Sequence, residues 1–227
     1  MGDYQYKFHF YVLLQYQDEL LHGLLITLYI TAISLLASWV IGIVVGVAGA
    51  SESRLGRGMA SLYVETFRVI PELIVIFWMY YCLPILFDVR MSSFLTGFLA
   101  LSLIGGSTAA EIFRAGFVHV PRGEVEAARS LGMSWFQSFR VVVLPQAVRL
   151  MIPPLVNHAI DLLKISALLS TITVTELMYV AGHLNTLTFR PMEIFTVVAL
   201  MYFAVAYPVS LVGRFWERHH RTLRDPR

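Results

Sequence analysis

Glu124–Ala147 reads EVEAARSLGMSWFQSFRVVVLPQA. It sets two glutamates, two arginines, an internal glycine and a late proline into a chain whose residues are 57% hydrophobic. Glu124 and Glu126 occupy what would be a first helical turn and Arg129 a last one, the charge order that the helix dipole favours. Gly132 follows where a left-handed residue closes a helix. Ser134 and Gln137 form S-x-x-Q, a capping box that starts a second helix. Trp135, Phe139 and Val142 share one face of that helix, and Pro145 marks the return to apolar sequence. The stretch therefore encodes helix, hinge, helix. Its first helix has about two turns, too short to hold itself in water. Either it leans on a partner or it lies as a solvated loop over helix ends.

The sequence on both sides is that of a membrane protein. Charged residues make up 14% of the chain, against roughly 25% in soluble domains, and mean hydropathy is +0.68. A helix needs ~20 apolar residues to cross a bilayer. Five segments qualify, at about 24–50, 60–87, 94–118, 146–170 and 192–213, with kinks expected at Pro71 and at Pro153-Pro154. Residues 1–22, rich in Phe8, Phe10, Tyr11, Leu13 and Leu14, read as an extracytoplasmic interfacial segment. Residues 23–213 form the transmembrane domain, with its largest loop at 121–145, and 214–227 form a basic tail. The segment 171–191 reads as a loop carrying an amphipathic helix. A secretory signal peptide would open on a basic region and a short apolar core; none is visible, so the N-terminus is expected to be retained.

Orientation follows from the basic residues. With five spans and the N-terminus outside, the inner side receives Arg54, Arg57, Arg68, Arg114, Arg122, Arg129, Arg140 and Arg149. The cluster from Arg214 to Arg227 falls there too. Lys7, Arg90, Lys164 and Arg190 are left elsewhere. The expectation is N-terminus out, C-terminus cytoplasmic. Gly42 and Gly46 form GxxxG in the first span, and Gly105/Ala109 with Gly106/Ala110 repeat the spacing in the third. Such small residues let helix backbones approach in lipid, within one subunit or between two.

Ionisable residues at membrane depth carry function by default. Glu65 and Arg68, Glu111 and Arg114, and Asp161 and Lys164 each stand one helical turn apart, as intrahelical ion pairs would. Asp161 and Lys164 lie deepest and serve equally as a structural clasp or as substrate contacts. Glu72, beside Pro71, has only Arg68 at helical spacing and is the more suggestive acid. Cys82, the single cysteine, excludes an internal disulfide. The histidines show no metal-ligand spacing, and no catalytic set or nucleic-acid-binding pattern is present. Lys7 and Lys164 are the only lysines and neither follows a glycine-rich turn, so the chain has no P-loop.

The stretch EAARSLGMSWFQSFRVVVLP resembles the EAA loop of ATP-binding-cassette importer permeases. Its fixed positions are filled by Glu126, Ala127, Ala128, Gly132, Val142, Leu144 and Pro145, with Val142 for the more usual isoleucine. GLLITLYIT, YVETFR, ALSLIGGSTAAEIFRAGF, VPRGEVEAARSLGM, LPQAVRLMIPPLVN and TFRPMEI extend the resemblance over about 20–216. They are similar to the polar amino acid branch, with its histidine-, glutamine-, glutamate- and arginine-type importers. The resemblance implies an all-α integral membrane fold of the type I importer permease class in a bacterial cytoplasmic (inner) membrane. It implies coupling to an ATPase through Glu126, Ala127, Ala128, Gly132, Leu144 and Pro145. It also implies a second permease, identical or paralogous, a dimer of ATP-binding subunits holding ATP and Mg, and an extracytoplasmic substrate-binding protein. No cofactor is expected on this chain.

Two motifs depart from the branch. Arg68-Val69-Ile70-Pro71-Glu72 stands where Arg-Gly-Thr-Pro-Leu is usual, and Lys164-Ile165-Ser166-Ala167-Leu168 where Lys-Asp-Thr-Ser-Leu is usual. Lys164 keeps the branch's lysine and suits a substrate carboxylate, with Ser166 adding a hydroxyl; Glu72 and Asp161 suit an ammonium. The competing expectation is a decayed half-site, marked by Ile165. A different class of function is an ion-coupled secondary carrier using Glu65, Glu72, Glu111 and Asp161. Such carriers tend to show inverted repeats, and none is visible.

Overall fold

A computed structural model describes residues 8–221, and all regular structure in them is helical. A 3₁₀ turn, Phe10–Tyr16, leads directly into α1, Gln17–Ala50. There follow α2 (Arg54–Val69), α3 (Glu72–Phe77), α4 (Leu83–Phe87), α5 (Ser93–Val118), α6 (Arg122–Ser130) and α7 (Trp135–Ser138). The chain continues with α8 (Leu144–Ile165), α9 (Leu177–Thr188) and α10 (Pro191–Arg221). Four helical runs are long and apolar enough to cross a membrane: Leu13–Ala50, Ser93–Val118, Trp135–Ile172 and Pro191–Trp216.

The second expected span is not one helix. Arg54–Val69 and Glu72–Phe87 meet at a 102° bend and count as a fifth crossing only if taken together. A proline forces the residue before it out of the helical region, and here both Ile70 (ψ 130) and Pro71 (ψ 135) are extended. Two extended residues in succession break the helix where a single proline would have bent it. Two other prolines are absorbed without a break. Pro84 and Pro145 each follow a π turn, at Trp78–Cys82 and Phe139–Val143. The wider turn takes up the clash between the proline ring and the carbonyl four residues back.

α1 shows how the bundle is held. Thr27, Ile30, Thr31, Ser34, Ser38, Gly42 and Gly46 are buried, while Leu25, Tyr29, Leu36, Val40 and Val44 are exposed. The small and hydroxyl-bearing stripe faces protein and the large apolar residues face outward, as expected where lipid is the solvent. The stripe lies against Gly97, Ala100, Gly105, Gly106, Ala109 and Ala110 of α5. A Cβ added at Gly42 would sit 2.5 Å from Ala109 Cβ, and one at Gly46 would sit 2.8 Å from the Ala110 carbonyl oxygen. The glycine pattern thus packs within one subunit. Three of the buried hydroxyls are satisfied locally: Thr27 donates to the Gly23 carbonyl at 3.0 Å, Ser102 to Phe98 at 2.6 Å and Ser107 to Ile104 at 2.7 Å.

The described part of residues 1–22 is a 3₁₀ turn continuous with α1, and Leu13 and Leu20 are buried in a cluster with Leu177, Leu184 and Ile194. The helix at 171–191 is present as α9, packed on α1 and α10 through that cluster. Of the basic tail, 214–221 extends α10, and the remainder lies outside the described residues.

Candidate functional site

The loop between α5 and α8 is built by local chemistry. α6 ends at Gly132, whose φ of +82° only glycine adopts freely. The Met133 amide donates to the Ala128 carbonyl at 3.2 Å and the Gly132 amide to Arg129 at 2.9 Å. These are the paired bonds of a Schellman ending. Two residues later the capping box is complete: the Gln137 amide donates to Ser134 Oγ (3.3 Å), and the Ser134 amide to Gln137 Oε1 (2.9 Å). A cap of this kind contributes about 1 kcal/mol. Trp135 stacks on Phe139 at 5.6 Å with 7° between the rings, and Phe139 in turn meets Phe117 of α5 at 6.1 Å. Gln146, in the first turn of α8, donates to the Glu124 carboxylate and ties α6 to that helix.

What this loop displays is more informative than what it buries. In α6 only Ala128 is buried; Glu126 and Ala127 are exposed, as are Gly132, Leu144 and Pro145. Leu131 is 80% exposed, Trp135 66% and Phe136 62%. The nine-residue α6 thus buries almost no face in its own subunit, and the hinge and α7 that follow it leave three large apolar side chains exposed.

The second candidate site is a cavity of about 350 Å³ between α3, α5 and α8. Glu72, Thr108, His158, Asp161 and Lys164 all line it. The break at Pro71 is what brings Glu72 there, by starting α3 on a new axis. Lys164 Nζ lies 2.9 Å from Asp161 Oδ1, with both side chains more than half exposed. Ser166 is not among the lining residues; it is fully buried and donates to the Leu163 carbonyl at 2.7 Å. Glu111 and Arg114 form the expected pair at 3.1 Å. Glu65 and Arg68 do not pair among the described residues. Glu65 instead lines a separate cavity of about 360 Å³ with Arg57, Glu111 and Arg114.

A model of the family described as binding-protein-dependent transport system inner membrane component matches residues 38–222. The chain belongs to that family. It is 35% identical over 197 residues to the probable glutamine ABC transporter permease protein GlnP of Bacillus subtilis (strain 168), covering 85% of this chain and 89% of that one. It is 33% identical to the probable amino-acid ABC transporter permease protein YckA of the same organism, over 96% of both. Among solved structures it superposes on one described as the crystal structure of an amino acid ABC transporter with histidines. The TM-score is 0.87 at 30% identity, over 94% of this chain and 100% of that one. The chain is accordingly a multi-pass inner-membrane transport component with the ABC permease fold.

Three polar side chains of this transport component escape sequence reasoning. Glu176 is fully buried. Its carboxylate caps α9, accepting from the Met178 amide at 2.9 Å and the Tyr179 amide at 2.7 Å. It also meets Tyr202 Oη of α10 at 3.0 Å and Thr27 Oγ1 of α1 at 3.4 Å. One carboxylate thereby joins three helices. Burial pushes it above its ordinary pKa, against the lowering effect of those donors. Glu193, also buried, pairs with Arg190 at 3.1 Å and accepts from the His9 amide at 3.0 Å. His158 is buried at the wall of the cavity. The N-cap at Glu176 had a local signal, an acid just before LMYVAGHL, but its long-range partners had none.

Proposed function

We propose that this chain is one permease subunit of an ATP-driven importer of polar amino acids or amino-acid-like solutes. It crosses the membrane five times with its N-terminus outside, the broken α2–α4 segment being the second crossing. A second permease, identical or paralogous, completes the pathway. A dimer of ATP-binding subunits holding ATP and Mg docks on α6, and an extracytoplasmic binding protein delivers the solute. The relatives' names and the arginine distribution support this reading.

The observation that carries it is the exposed helix-hinge-helix of α6 and α7. Glu126, Ala127, Ala128 and Gly132 shape a short helix that has no face buried in its own subunit beyond Ala128, so it suits a groove on a partner. Leu144 and Pro145 join it to α8, so a push on α6 is delivered to the helix bearing Asp161 and Lys164. Closure of the ATPase dimer would then rock the spans between inward- and outward-open states. At the opposite end, the 84–93 and 173–191 loops meet where Ser93 Oγ lies 3.1 Å from Thr173 Oγ1, a composite surface for the binding protein. Within the pathway, Lys164 takes the substrate carboxylate and Glu72 or Asp161 an ammonium. Ser166, its hydroxyl already committed, takes no part.

The test is a pair of variants, Gly132→Val and Glu126→Lys. Both are expected to reach the membrane, to lose transport and to retain less ATPase on purification. Wild-type transport by either one would remove the loop from the coupling role.

A further inference from the structure

α9 is a short helix held between two strained joints. Thr173 before it and Phe189 after it have left-handed backbones, with φ 65° and 53°, and neither is glycine. For a β-branched residue such as Thr173 that conformation is an outlier, and it persists only where the surroundings over-determine it. With 12 residues α9 is also marginal on its own in water. Its pose is therefore set by what grips it.

At the N-terminal end the grip is polar. The Leu177 amide donates to Thr27 Oγ1 of α1 at 3.0 Å, the Met178 amide to Glu176 Oε2 at 2.9 Å and the Tyr179 amide to Glu176 Oε1 at 2.7 Å. These are the first-turn amides that have no partner inside the helix. Gly23, one turn before Thr27, makes the approach possible: a Cβ there would stand 3.0 Å from Val180 Cγ2 and 3.1 Å from Leu177 Cα. The cap is thus complete without α10. Yet Tyr202 Oη of α10 donates to the same Glu176 Oε2 at 3.0 Å. Helix N-caps are ordinarily Ser, Thr, Asp or Asn. The longer glutamate caps α9 and still presents an oxygen to the neighbouring helix, so the Tyr202 bond is a tie beyond what capping needs.

We propose that Glu176 is a positioning residue for docking of the binding protein: bound to Tyr202, it fixes α9 against α10, and with it the 173–191 surface beside Ser93 on which that protein sits. The proposal rests on the permease reading above and goes beyond it by naming the residues that hold the outer surface in its receptive pose. The joints at Thr173 and Phe189 leave α9 free to pivot once the tie is cut. Leu177, Ala181 and Leu184, all fully buried, keep it on the bundle, so the helix shifts and does not unfold.

The experiment reconstitutes this chain with its second permease and ATP-binding subunits in lipid nanodiscs. ATPase activity is then titrated with the purified binding protein, saturated with mixed amino acids. Two variants cut the tie and spare the cap. Glu176→Asp keeps a preferred N-cap but falls one methylene short of Tyr202, and Tyr202→Phe keeps the ring and loses only the hydroxyl. Each is expected to raise the binding-protein concentration for half-maximal stimulation about tenfold, as loss of one charge-assisted hydrogen bond would. Basal activity, maximal rate and recovery of the assembled complex should match the wild type. The double variant should do no more than either single one, because both remove the same bond. Simple destabilisation would instead lower recovery and maximal rate, and would add in the double variant. A spin label at the exposed Leu187, introduced as Leu187→Cys with Cys82→Ser, should report a more mobile α9 in both variants. Unchanged half-saturation and label mobility, or a lowered maximal rate at unchanged half-saturation, would overturn the positioning role and leave the permease reading standing. A binding protein that fails to stimulate the wild-type complex would overturn the permease reading and this proposal with it.

Discussion

Gly42 is the position at which the packing argument can be tested most sharply. Gly42→Ala adds one methyl group where the nearest atoms are Ala109 Cβ at 2.5 Å, the Ala109 carbonyl carbon at 2.9 Å and the Ala110 amide nitrogen at 3.0 Å. Ordinary contact begins near 3.4 Å, so α1 and α5 must separate by about 1 Å along their most intimate stretch. Overpacking of that size costs about 1–3 kcal/mol, and alanine returns about 1 kcal/mol through helix propensity. The net expectation is a loss of up to about 2 kcal/mol. Gly58 is the control. It lies in α2 with nothing within 4 Å of an added Cβ, so Gly58→Ala should stabilise by up to about 1 kcal/mol. Thermal unfolding of the solubilised chain, at about 2–4 °C per kcal/mol, should move the two variants in opposite directions. Ala109→Gly should rescue Gly42→Ala in part, because backbone atoms remain close after the methyl is gone. A Gly42→Ala protein as stable as Gly58→Ala would refute the claim that these helices meet backbone to backbone.

Two further outcomes follow from topology and from Glu176. Reporter fusions after Arg90 should read extracytoplasmic and those after Gly123 cytoplasmic; an extracytoplasmic signal at Gly123 would end the five-span, N-out assignment. The Glu176 carboxyl titrates above its ordinary value in the folded protein. Its contribution to stability is therefore complete below the unfolded pKa and is lost as pH rises through the folded one. The thermal midpoint should decline from about pH 5 upward, and Glu176→Gln should flatten that decline; an identical slope in the variant would show that Glu176 is not its source.

The parts of this molecule that were legible in sequence are those fixed within a few residues. Gly132 and the Ser134–Gln137 capping box could be read directly, because a left-handed ending and a reciprocal cap are local chemistry. Gly42 and Gly46 announced close packing, and α5 supplied the small residues the spacing implied. Pro71 announced a disturbance but not its size, since the 102° bend depends on Ile70 becoming extended as well. The Glu65–Arg68 spacing promised a pair that the fold does not form, because Glu65 turns to the cavity between α1, α2 and α5. Among the expected substrate residues Glu72, Asp161 and Lys164 converge, whereas Ser166 points back to its own helix. His158 and Glu176 were illegible for one reason: Ser38, Thr27 and Tyr202, which give them meaning, lie 120, 149 and 26 residues away.

The central claim is that this chain moves solute only when driven by a partner ATPase through the α6 loop. It is tested most directly in proteoliposomes that hold the chain with its second permease and ATP-binding subunits, with the binding protein and a radiolabelled amino acid outside. The account predicts uptake that requires ATP and the ATPase subunits, persists when ion gradients are collapsed by ionophores, and disappears with Gly132→Val. Uptake by this chain alone, powered by a proton gradient and lost on Glu72→Gln or Asp161→Asn, would contradict it and mark the protein as an ion-coupled carrier.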